Sequence, residues 1–161
     1  MRSIMLWIPH AEYLALRQHG EAAYPHESCG VLLGSARGDD RLVRRAVPCR
    51  NAHADSPADR YRVDPRELLR LEREARSRGE EVVGFYHSHP DHPAHWSATD
   101  LAEAHWLGCS YVITRVAEGR AQDTCSFRLA GEGEADKHFL EEDVRVLDAA
   151  AEAADAEVTA P

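Results

Sequence analysis

The chain has 161 residues, 43% of them hydrophobic and 29% charged, with a formal net charge of −9. That length suits one domain with its own core and is too short for a complete TIM barrel, which takes roughly 250 residues. An acidic chain without a run of ~18–20 apolar residues argues against nonspecific nucleic-acid binding and against a membrane-spanning helix.

Ile4 to Ile8 reads as a strand that Pro9 ends, and no small-residue cleavage site follows it, so no secretory leader is expected. His10 to Ala23 reads as a helix with Ala11, Leu14 and Leu16 among its apolar positions. Tyr24-Pro25-His26-Glu27 breaks it. Ser28 to Gly34 is a nearly continuous apolar run, as in a buried strand. A turn at Arg37-Gly38-Asp39-Asp40 leads to a hairpin partner over Arg41 to Cys49. Asn51 to Arg60 reads as a loop able to touch a ligand, and Tyr61-Arg62-Val63 as a short strand. Asp64-Pro65 then opens a helix, with Asp64 as N-cap and Pro65 at the first position. That helix carries Leu68, Leu69, Leu71 and Ala75 and stops at Gly79.

Glu81 to His87 reads as a buried strand, and Ser97 to Leu107 as a helix ending at Gly108. Cys109 to Val116 and Thr124 to Leu129 read as strands joined by a turn at Glu118-Gly119. Phe139 to Leu147 is either a last strand or a helix. Residues 131–161 hold ten acids against Lys137 and Arg145, so almost all of the net charge lies there. Residues 1–147 are expected to form the domain and 148–161 an acidic, Ala-rich flexible tail, with a docking tail for a basic partner as the alternative. Cys29, Cys49, Cys109 and Cys125 contain no C-x-x-C pair and are expected to be free thiols in the cytoplasm. The mixed order predicts an α/β (α+β) domain around one curved, mostly antiparallel sheet flanked by helices.

The chemistry concentrates in residues 87–100. His87 and His89 stand at i, i+2 at the end of a buried strand, so both side chains point to one face with Cα atoms about 6.5–7 Å apart. Pro90 ends the strand and lets the next segment turn back. Asp100 can complete a set of two histidines and one carboxylate, which leaves a fourth tetrahedral position open, as in a catalytic zinc site. Ser97-x-x-Asp100 is also a plain capping box, and both readings stand on the residues alone.

The joint pattern His87-Ser88-His89-Pro90, six residues, then Ser97-Ala98-Thr99-Asp100 resembles the H-x-H-P-x6-S-x-x-D signature of the JAMM (MPN-plus) metalloproteases. The likeness extends to the upstream segment Pro25 to Gly34, to Tyr61 to Pro65, to Val82 to Tyr86 and to Ser110 to Ile113, and spans roughly residues 4–130. It implies a cytidine-deaminase-like JAMM/MPN domain holding one zinc ion through His87, His89 and Asp100. It further implies Glu27 as general base and Ser97 as the residue that steadies the oxyanion. The implied activity is cleavage of a peptide or isopeptide bond at the Gly-Gly tail of a ubiquitin-like sulfur-carrier protein, including release of cysteine from such a tail. The expected binding mode adds the tail to an exposed strand edge, with Asn51 to Arg60 as the candidate edge.

One position departs from the bacterial pattern: Trp96 stands where proline is usual before the motif serine. It either packs under the loop or borders the substrate path. His92, His95, His105 and His138 read as loop, surface or packing residues. Two other readings are kept. His87-Ser88-His89-Pro90-Asp91-His92 also fits the H-x-H-x-D-H signature of metallo-β-lactamase-like hydrolases, which would recruit His92. A non-catalytic MPN scaffold is the other, although such scaffolds normally lack part of the ligand set.

Overall fold

Apolar runs with a period of two dominate the chain, and their backbone groups must find partners in a sheet. In the computed structural model, which describes residues 3–53, 57–58 and 60–148, they form seven strands and three helices. The order is β1 (Met5–Pro9), α1 (His10–Ala23), β2 (Cys29–Arg37), β3 (Asp40–Cys49), α2 (Pro65–Ser77), β4 (Glu81–Pro90), α3 (Ala98–Glu103), β5 (Ser110–Ala117), β6 (Arg120–Ala130) and β7 (His138–Leu147). The segment from Phe139 is thus a strand. Sequence expectations for residues 149–161 lie outside the described residues.

The sheet is not merely curved. Its strands run β1-β3-β2-β4-β5-β6-β7 and close on themselves, because β1 pairs with both β3 and β7. Four pairings are antiparallel, and three (β1–β3, β1–β7 and β4–β5) are parallel. The β1–β3 seam is short, joining only Leu6 to Arg41 and Trp7 to Leu42. The Asp40 carboxylate reinforces it by accepting from Met5 N–H at 3.2 Å and Trp7 Nε1–H at 3.3 Å.

Two of the three apolar clusters pack a long helix, α1 or α2, against the sheet. Leu16 of α1 packs with Leu6, Ile8, Leu32, Val83 and Tyr86. Leu71 and Ala75 of α2 pack with Val31, Leu33, Val82, Phe85 and Tyr111. Val82 and Phe85 of β4 join the α2 cluster and Val83 and Tyr86 the α1 cluster, with the register shift between Val82 and Gly84, so both faces of the strand are buried and its apolar run is unbroken. In α1, Leu14 is not a core position; it is 40% exposed, and Gly20 is buried instead. Gly34 lies at a β-bulge where β3 crosses so closely that a Cβ would stand 1.8 Å from Leu42 O. Gly34→Ala is expected to lower stability by about 1–3 kcal/mol through overpacking, read as a lower urea midpoint.

Beyond strand ends that extend further than expected, with β4 reaching Pro90 and β6 starting at Arg120, two elements differ from the sequence expectation. Residues 61–63 are not a strand. Their backbone finds other partners: Arg62 N–H donates to Asn51 Oδ1 at 3.1 Å, and Arg62 O accepts from Ala52 N–H at 2.8 Å. None of the described residues of the 51–60 loop is a strand either. The expected helix from Ser97 to Leu107 ends at Glu103, with Ala104 extended. That break lets Trp106 reach Phe85, with ring centroids 5.4 Å apart, and donate its N–H to Tyr111 Oη at 3.2 Å.

Candidate metal centre

His87 and His89 occupy the last turns of the β4 pleat on the face shared with α2. Both are buried, at 2% and 7% exposure. Ser88 points to the other face and fastens the neighbouring strand: Ser28 N–H donates to Ser88 Oγ at 2.8 Å, and Ser88 N–H donates to Ser28 O at 3.2 Å. The antiparallel register Cys29↔His87 continues through this pair. Glu27, the next residue out, is thereby delivered to the histidines. Its carboxylate lies within 4.8 Å of the ligand nitrogens of both His87 and His89, and its side chain is buried at 5% exposure.

Asp100 approaches from the opposite side on the first turn of α3. Ser97 caps that helix: Asp100 N–H donates to Ser97 Oγ at 3.1 Å, and Ser97 N–H donates to Asp100 Oδ2 at 2.8 Å. The reciprocal cap orients the carboxylate. Asp100 Oδ1 lies 3.2 Å from His87 Nε2, Asp100 Oδ2 lies 3.1 Å from His89 Nε2, and the two Nε2 atoms are 3.1 Å apart. The capping box and the two-histidine, one-carboxylate cluster are therefore the same structure.

These spacings test whether a metal fits. Bonds of about 2.0–2.1 Å to tetrahedral zinc place neighbouring ligand atoms about 3.3 Å apart. The three donor distances, 3.1 to 3.2 Å, are close to that edge length, and imidazole with carboxylate is a donor set zinc accepts. His89 Nδ1–H donates to Pro93 O at 2.8 Å, which leaves Nε2 with its lone pair toward the cluster. His87 is held differently. Its ring stacks on Tyr61, with centroids 4.3 Å apart and planes 20° apart, and among the described residues no hydrogen-bond partner meets its Nδ1.

Burial lowers the His87 pKa and so favours the neutral ring a metal needs. For Asp100, burial acts to raise the pKa, but the adjoining His87 and His89 rings and the Ser97 N–H outweigh it and hold the carboxyl far below its ordinary range. No thiol competes as nucleophile nearby: burial pushes Cys29 and Cys49 up to about 12, so both stay protonated at neutral pH.

The cluster opens into a cleft of about 470 Å³ lined by Glu27, His89, His92, His95, Trp96 and Ser97 among others. Trp96 does two things at once. It borders this cleft and packs its ring against Phe139 at 5.5 Å and His95 at 5.3 Å. His92 is exposed and is not part of the cluster, so the metallo-β-lactamase-like arrangement, which needs it as a ligand, is not formed. His105 and His138 are surface residues. Sequence reasoning missed Tyr61, Ser88 and the Pro93 carbonyl as neighbours of the histidines. Only Tyr61 left a signal, an aromatic residue shortly before the Asp64-Pro65 helix start.

Comparison with known proteins agrees with this geometry. The profile of the family described as prokaryotic homologs of the JAB domain matches residues 9–130. A desampylase of Haloferax volcanii is 43% identical over 89 residues, which span 55% of this chain and 62% of that protein. A CysO-cysteine peptidase of Mycobacterium tuberculosis is 33% identical over 134 residues, covering 83% of this chain and 86% of that protein. The solution structure of protein DSY2949 from Desulfitobacterium hafniense aligns with a TM-score of 0.75 and 31% identity, covering 89% of this chain and 94% of the other. Four observations converge: the domain match over most of the chain, the relatives, the shared fold and the clustered motif. The chain belongs to the prokaryotic JAB-domain family, the JAMM-type peptidases.

Proposed function

We propose that this protein is a zinc-dependent peptidase or isopeptidase that hydrolyses the amide bond at the Gly-Gly tail of a ubiquitin-like sulfur carrier, including release of a terminal cysteine. The observation that carries the proposal is the convergence of His87, His89 and Asp100 within 3.2 Å of one another with the Glu27 carboxylate beside them. The names of two relatives, a desampylase and a CysO-cysteine peptidase, support this substrate class. Residues 1–147 form the catalytic domain in this reading. Among the described residues no helix is long and apolar enough to cross a membrane. The four free cysteines support a reducing cytoplasm.

In the proposed mechanism His87, His89 and Asp100 hold the zinc. Bound zinc supplies Lewis acidity, polarising a carbonyl and acidifying water to a pKa near 7. Glu27 takes the proton of the attacking water and delivers it to the departing amine. Its burial keeps that proton from bulk solvent. Ser97 Oγ accepts from Asp100 N–H, and its own O–H is the donor this reading assigns to the developing oxyanion.

The reading is tested with a carrier–cysteine adduct incubated with zinc-loaded enzyme and followed by mass spectrometry. The expected result is loss of one cysteine residue from the carrier's tail. Persistence of the full mass with a metal-loaded, folded enzyme would sink the carrier assignment.

A further inference from the structure

Glu27 belongs to no helix or strand. It sits in the linker between the end of α1 at Ala23 and the start of β2 at Cys29. A general base on an unstructured linker needs an external anchor, since a misplacement of about 1 Å can cost about 10²-fold in rate. Ser28 supplies one on its carboxyl side, through Ser88. The main chain of Glu27 itself is held from elsewhere. Its N–H donates to Pro57 O at 2.7 Å, and its C=O accepts from Asn51 Nδ2 at 3.3 Å.

The Asn51 side chain also organises the segment that supplies Pro57. Nδ2 donates to Arg60 O at 2.8 Å and reaches Pro57 O at 3.4 Å. Oδ1 accepts from His53 N–H at 3.0 Å and Arg62 N–H at 3.1 Å. One amide thus lies within hydrogen-bond distance of five backbone groups from three stretches of chain, its two N–H groups shared among three carbonyls. The residue between Arg60 and Arg62 is Tyr61, whose ring stacks on His87. The side-chain amide of Asn51 therefore connects the backbone of Glu27 to the wall behind a metal-site histidine.

We propose that Asn51 is a positioning residue: it holds Glu27 in register with the metal centre by tying Pro57, Arg60 and Arg62 to the Glu27 backbone. The proposal rests on the assignment of Glu27 as general base in the peptidase reading above. Aspartate could not replace Asn51. Aspartate keeps an acceptor for His53 and Arg62 but sets a second carboxylate oxygen against the carbonyls of Glu27, Pro57 and Arg60, where a donor is required.

The test combines kinetics with amide exchange on the full-length, zinc-loaded protein. With the carrier–cysteine adduct, Asn51→Ala is expected to lower kcat at least about tenfold with KM changed less than about twofold and zinc content unchanged. In the Glu27→Gln background, under single-turnover conditions, the same substitution is expected to change the residual rate less than about twofold, because the group it positions is gone. Equal losses in both backgrounds, an unchanged kcat, or loss of zinc would each overturn the proposal.

Exchange of the Glu27 and Arg62 amides reads the tie without any substrate. Both are expected to exchange at least about tenfold faster in Asn51→Ala, with β4 amides unchanged. Unaltered exchange at Glu27 would overturn the inference even if the carrier assay failed. Inactivity of the wild type, in contrast, would count against the proposed function alone. Should Asn51→Ala not fold, Asn51→Asp is put through the same measurements with the same expectations.

Discussion

Glu27→Gln is expected to retain about one zinc per chain and to lower kcat by about 10²–10⁴-fold, the usual contribution of a positioned general base. Glutamine preserves the volume and a carbonyl oxygen but cannot accept a proton at neutral pH. The position of Glu27 makes the variant informative. Its carboxylate lies within 4.8 Å of the ligand nitrogens of His87 and His89, a span that also suits a fourth protein ligand. The two roles give opposite metal results. A fourth ligand closes the site, and its loss weakens zinc binding; a base leaves zinc binding intact. Metal analysis of the purified variant beside its turnover separates them. Loss of zinc in Glu27→Gln would make the site a structural one.

His89→Ala is expected to abolish both stoichiometric zinc and measurable turnover. His89 carries more of the site than a single donor atom. Its Nε2 faces Asp100 and His87, and its Nδ1–H is anchored on Pro93 O, so its loss also frees the loop that leads to α3. Removing a partner behind a metal ligand typically costs 10–100-fold in affinity, and deleting the ligand itself costs more. The expectation is checked by metal analysis and by thermal unfolding with and without a chelator. A metal held by the folded state alone stabilises it by about 2.7 kcal/mol at one hundred times its dissociation constant. Wild-type protein should therefore melt at a lower temperature after chelation, whereas His89→Ala should melt alike in both conditions. A chelator-sensitive melt in His89→Ala would place the metal elsewhere.

The sequence was most legible where the deciding interactions span a few residues. Asp64 before Pro65 starts α2, and its carboxylate accepts from Arg66 N–H at 2.8 Å. Ser97 and Asp100 start α3 through bonds between residues three apart. The strand period alone puts His87 and His89 on one face, and β4 runs on to Pro90. The failures arose where a distant residue decides. Tyr61 to Val63 has the composition of a strand, but its backbone partners belong to Asn51 and Ala52. The helical pattern after Ser97 continues past Glu103, yet the chain turns extended at Ala104 and Trp106 packs against Phe85, far away in sequence. Likewise, no local pattern in β1 announces that it will close the sheet by pairing with both β3 and β7.

By itself, the sequence determined the two-histidine strand end, the capped helix carrying Asp100, and the concentration of acidic charge after residue 130. Each follows from periodicity, capping chemistry or composition, and these act locally. Only the tertiary structure decided that Glu27 meets the histidines. That meeting depends on β2 aligning with β4 through the Ser28–Ser88 bonds, across 60 residues of chain, and on Asn51 holding the linker from the other side. Such contacts form only when the whole sheet closes and the loop-closure entropy is offset by burial of the core. For that reason residue order alone could name Glu27 by resemblance, but it could not position it.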